Sequence, residues 1–169
     1  MKNTKKRGFT LLETVVAVYI LSVVVVAGFT AAFISISSSI HAKNQVTAFY
    51  LAQDAFDYIR HQRDINVLDP NLGWLDGFGD CVGFSCKIDT SDGAISSISD
   101  DQGYLYLTDN GIFTHESGEG NTQTNFRRVI SINEIAEYEA KVEIVVSWQQ
   151  GANDRSFRSV SRIFNSVIK

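Results

Sequence analysis

From Phe9 to Ile40 the chain runs for 32 residues with a single charged side chain, Glu13. A helix needs roughly 20 apolar residues to cross a hydrocarbon core of about 30 Å, and the stretch from Thr14 to Ile36 is long enough. Val23 to Val26 is a β-branched run and a mediocre helix former in water. Lipid reverses that preference, because a lone spanning segment can satisfy its backbone only with the internal hydrogen bonds of a helix. The run therefore predicts a membrane helix over 9–40.

Charge divides the chain in the same place. The formal total is -4, yet Lys2, Lys5, Lys6 and Arg7 all precede position 8, and the remainder carries eleven positive and nineteen negative charges. Basic flanks stay on the cytoplasmic side of a membrane segment, so the rest of the chain is expected outside. A cleaved secretory signal also starts with basic residues, but its apolar core is shorter, about 7 to 15 residues, and ends at a small-residue site. This run is too long and lacks such a site. The acidic body gives no electrostatic footprint for nucleic acid, which calls for a basic patch.

Glu13 itself has two readings by position. It is either a hydrated carboxylate at the membrane surface or one half of an ion pair. An acid near the bilayer centre costs roughly 2.5 to 3.5 kcal/mol on insertion scales, and intramembrane acids usually have partners. Arg7-Gly8-Phe9-Thr10-Leu11-Leu12-Glu13 resembles the leader junction of type IV prepilins and type II secretion pseudopilins. The resemblance implies a basic leader, 1–8, that a membrane prepilin peptidase cuts after Gly8, and N-methylation of the new first residue, Phe9. It also implies that Glu13, fifth in the mature chain, sets register during assembly by pairing with the amine of a neighbouring subunit. The implied partners are other pilin or pseudopilin subunits, the prepilin peptidase and methyltransferase, and an inner-membrane assembly platform. The implied location is the inner membrane, single-pass with the N-terminus in the cytoplasm, and then an extracytoplasmic pilus or pseudopilus. The chain's one proline is Pro70; many major pilins carry one in the middle of this helix. Leu51 to Asp64 is similar to the helix end of PilV-type minor pilins.

Val46, Phe49, Ala52, Phe56 and Ile59 recur at three- and four-residue steps and predict an amphipathic continuation of the helix over 41–64. Asp69-Pro70 marks a stop already passed. The Gly- and Asp-rich stretch from Asn71 to Ser97 reads as a long ordered loop, with Trp74, Phe78 and Phe84 as core caps or contacts for a neighbour. Beyond it, Asp109-Asn110-Gly111 between two apolar runs predicts a hairpin. Phe126 to Asn133 alternates in part, Ala140 to Trp148 alternates cleanly, and a loop at 150–154 leads to Phe157 to Phe164. The expected fold is therefore α+β and pilin-like: a long N-terminal helix, half transmembrane and half amphipathic, packed on about four or five antiparallel strands in a head over 65–169.

Cys81 and Cys86 enclose four residues, and outside the cytoplasm a disulfide is the expected state. Zinc, the rival, calls for a second pair of ligands that the sequence lacks. His41, His61 and His115 are scattered, and surface or helix-face roles are expected for them. Asp89, Asp92, Asp100 and Asp101 fit no EF-hand spacing and read as a solvated loop. No nucleophile, zinc-protease or phosphate-loop motif occurs. No enzyme, cofactor or metal is expected. The competing reading is a single-pass membrane sensor or adhesin that keeps its leader and never polymerises.

Overall fold

The computed structural model describes Gly8, residues 10–98 and residues 103–165. The basic residues before position 8, Phe9, and the calcium candidates Asp100 and Asp101 lie outside the described residues. The chain divides into two compact units, 1–42 and 43–169.

A helix, α1, covers Leu11–Leu68, past the Asp64 boundary and up to Asp69-Pro70. Its first part is the regular structure among the described residues of unit one. There the large apolar side chains stand open: Leu11 is 82% exposed, Val24 63% and Phe33 75%. The described residues of unit one thus form no core of their own, although the helix is long and apolar enough to cross a membrane.

In unit two, the remainder of α1 buries Ala48, Leu51, Ala52, Ala55, Phe56 and Ile59. Of the expected face Ala52, Phe56 and Ile59 are buried, while Val46 and Phe49 are half exposed. Ala48, Leu51 and Ala55, outside the expected set, are buried beside them. Burying Ile59 completely contributes on the order of 1.5 to 3 kcal/mol.

The sheet has seven antiparallel strands and is curled. Its spine is β5 (Thr122–Ala136), β6 (Glu139–Gln150) and β7 (Asn153–Phe164). Two short hairpins share the other edge of β5: β1 (Ser85–Ile88) with β2 (Ile95–Ser97), and β3 (Tyr104–Leu107) with β4 (Phe113–Thr114). The architecture is the expected α+β arrangement with more strands, because the Gly-rich stretch holds β1 and β2 where the sequence suggested only loop. The predicted loop before β7 is a tight turn in which Gln150 and Asn153 face each other and Gly151 takes φ +63°.

Inward-facing Ile130, Ile132, Val142, Ile144 and Val146 form the sheet half of the core. Gly103 sits against it with φ +74°, and a Cβ there would lie 2.7 Å from the Arg128 carbonyl oxygen. Gly103→Ala should therefore destabilise the head by about 2 to 3 kcal/mol, from backbone strain and displacement of β5. Urea unfolding of the detergent-solubilised chain, followed by tryptophan fluorescence, reads this directly; an unchanged midpoint would contradict the packing.

Candidate functional site

The first candidate region is the start of α1. Gly8 is exposed, with nothing within 4 Å of where a Cβ would stand. Thr10 caps the helix: its Oγ1 accepts the Glu13 backbone N–H at 3.3 Å, and its carbonyl accepts Thr14 N–H at 3.2 Å. Thr10-Leu11-Leu12-Glu13 thus has the sequence of a capping box. The reciprocal bond from the Glu13 carboxylate is not made, and that exposed group has no ion-pair partner among the described residues. A carboxylate in the first turn suits the positive end of the helix dipole.

The second region is polar and buried in the head. Arg128 alternates with Phe126, Ile130 and Ile132 on β5, so its side chain points inward and is 0% exposed. Its Nη1 donates to the Leu51 carbonyl at 3.0 Å and to Asp54 Oδ2 at 3.1 Å, both on α1, while Nη2 donates to the Ile88 carbonyl at 2.9 Å. Thr90 donates its hydroxyl to the same Asp54 oxygen. One guanidinium therefore ties the helix to β5 and to the end of β1.

Beside it, Asp89 is 2% exposed and accepts from Ser91 N–H and Oγ, from the Thr114 hydroxyl and from His115 N–H. Burial alone pushes this carboxyl upward, but the four hydrogen bonds outweigh it and hold the pKa below the ordinary value. His115 is buried too, contrary to the expected surface role, because Thr114-His115 closes over Asp89 at the end of β4. Its Nδ1–H donates to the Tyr104 carbonyl at 3.0 Å, and Nε2 has no hydrogen-bond partner among the described residues. Burial, reinforced by the nearby Arg128 and Lys87, outweighs the Tyr104 carbonyl and Asp89 and lowers the His115 pKa to about 4.

The other candidate residues are dispersed. Cys81 and Cys86 form a disulfide with Cα atoms 4.9 Å apart. Backbone bonds from Gly83 to Ile132 and from Ile132 to Cys81 fix the loop against β5. A closed loop this short is worth about 2 kcal/mol in the chain-entropy account. Phe78 is buried and Trp74 donates to the Glu137 carbonyl, whereas Phe84 is 71% exposed. Asp92 accepts from Ala94 N–H within its own turn, and no group of three potential metal ligands occurs among the described residues. The Arg128 cluster had no motif to announce it; the available signal was the inward parity of position 128 within an otherwise apolar alternation.

The prokaryotic N-terminal methylation motif matches residues 3–29. The match supports a type IV pilin- or pseudopilin-type subunit, and proteins with this motif generally assemble with other pilins and are processed by a prepilin peptidase. Together with the apolar helix it fits a single-pass inner-membrane protein. No curated protein and no solved structure matches the chain.

The His115 environment carries a pH dependence. A histidine whose folded pKa lies near 4 and whose unfolded pKa lies near 6.5 favours the folded state fully above pH 6.5, and that contribution is lost as pH falls toward 4. The loss amounts to about 3 kcal/mol, and Asp89, also depressed, adds to it at still lower pH. Thermal melts of the solubilised chain between pH 7.5 and 4 should show this decline, and His115→Gln should flatten it. A wild-type profile no steeper than that of His115→Gln would contradict the assignment.

Proposed function

We propose that the chain is a structural subunit, a minor pilin or pseudopilin, of a type IV pilus-like filament. It is cut after Gly8, N-methylated at Phe9 and held in the filament by its apolar helix. The observation that carries this reading is the methylation motif over residues 3–29, in register with a capped helix start and a Glu13 carboxylate that pairs with none of the described residues. Residues 9–40 serve as membrane anchor before assembly and as bundle helix afterwards, and the head projects outside the cytoplasm.

The chemistry of the junction supports a role for both ends of the motif. Cleavage leaves a positive amine at a helix N-terminus, where orphan N–H groups already favour an anion. The amine of one subunit and Glu13 of a neighbour neutralise each other when the two helices are staggered by about one turn. In a weakly polar bundle the attraction is far stronger than in water. A wrong stagger leaves a charge buried alone, which is strongly unfavourable. The pair therefore selects one axial register. Thr10 supports this use of Glu13 by capping its backbone N–H and leaving the carboxylate available.

The alternative, a sensor or adhesin that keeps its leader, needs neither the Gly8 junction nor Glu13. The two separate in cells carrying the full chain. Glu13→Ala should leave cleavage after Gly8 largely intact and remove the protein from sheared filaments, read by immunoblot of the surface and membrane fractions. Wild-type amounts of Glu13→Ala in the filament fraction would contradict the register role.

A further inference from the structure

Unit two carries two complementary surfaces at opposite edges of its sheet. Between Arg63 and Arg127 the only Lys or Arg is Lys87, against eleven acids, whereas the stretch that begins with Arg127 and ends with Arg162 holds six basic residues against five acids. The acidic segment builds the β1–β2 and β3–β4 hairpins at one edge, and β7 is the other edge. At the acidic edge an open groove of about 420 Å³ lies between α1 and the two hairpins, its walls formed by Tyr50, Leu51, Ile112 and Phe113 and its polar side by Asp54 and Thr90. Tyr50 is 63% and Ile112 53% exposed. Exposed Asp92, Asp109, Glu116 and Glu119 lie on the hairpins and the loop that follows.

The outward row of β7 has the opposite character. Opposite Val145, Glu143, Lys141 and Glu139 of β6 stand Arg158, Val160, Arg162 and Phe164, cation alternating with apolar group. Val160 and Phe164 are about half exposed. Arg158 reaches Glu143 and Arg162 reaches Glu139, but both arginines are more than half exposed. Exposed pairs of this kind hold their partners weakly, so the guanidinium groups are available to a second carboxylate.

We propose that the groove of one copy receives the Arg158–Val160–Arg162–Phe164 strip of a second copy. The apolar side chains enter against Tyr50, Ile112 and Phe113, and the arginines face Asp54 and the acidic hairpins. The opposed signs select this pairing and reject strip against strip, where arginines would meet. The two surfaces are different and lie on opposite edges, so the contact is head-to-tail and leaves each copy able to bind another. It rests on the reading that the chain is a filament subunit, takes one of its neighbours to be a second copy, and adds where their heads touch.

Cross-linking in membranes of cells making the full chain tests the contact. Ile112→Cys and Val160→Cys, both at exposed positions, are made singly and together and treated with a short bis-maleimide. The double variant should give dimers and a ladder, and co-expressed single variants should give a 112–160 dimer. Neither variant alone should give a dimer. Adding Arg158→Glu and Arg162→Glu, which touch no buried group, should lower the adduct severalfold. Homodimers of a single variant, an adduct with a different protein, or no adduct would each overturn the contact. A chain that is cleaved and enters filaments without a 112–160 adduct refutes this contact and leaves the assembly reading standing. An adduct in a chain that retains its leader supports the contact and refutes that reading.

Discussion

An apolar helix whose large apolar side chains stand exposed among the described residues must be covered by something else. Between Leu11 and Ile40 the large apolar side chains are exposed while the backbone is closed on itself. Water is a poor solvent for such a surface, since contiguous apolar patches beyond a few hundred Å² are rare on free proteins. Lipid covers it as it stands, and so does a bundle of like helices. That pair of environments is what a subunit moving from membrane to filament meets. The one carboxylate within the run is costly in either unless a cation joins it.

The head solves a different problem with the same helix. Its half of α1 offers a narrow face, three of whose seven buried residues are alanine, so packing alone leaves the helix loosely specified along its axis. Arg128 supplies the missing register by donating to Leu51 and Asp54 on the helix and to Ile88 on β1. A buried guanidinium is favourable only when its donors are placed and its charge is met. Asp54, half open to water, meets that charge. Asp89 and neutral His115 fill the adjoining space, which couples the β3–β4 hairpin to the same cluster. The hairpin is also a wall of the groove at the acidic edge.

What was legible in the sequence is what local pattern decides. The apolar run and the three- and four-residue period gave α1, Asp109-Asn110-Gly111 gave the β3–β4 hairpin, and the alternation from Ala140 to Trp148 gave β6. The strands β1 and β2 escaped because they are four and three residues long in a Gly- and Asp-rich stretch, β1 being held by pairing with β5 more than thirty residues away and β2 by pairing with β1. On the helix Ala52, Phe56 and Ile59 were legible as buried, whereas Val46 and Phe49 were included for their size while the small Ala48 and Ala55, buried in the core, were passed over. His115 looked like a surface residue because its burial depends on Asp89 and Arg128, neither of them a sequence neighbour. At the N-terminus the reverse holds: Gly8, Phe9 and Glu13 are legible as a motif, while a role exercised between subunits leaves little mark on one chain.

The central claim is that the residues before Phe9 are a leader, removed so that a new amine can meet Glu13. Intact-mass and N-terminal peptide measurement on the protein recovered from the cells that make it tests this most directly. The account predicts a chain beginning at N-methylated Phe9. A mature protein that still carries Met1 to Gly8 would contradict it.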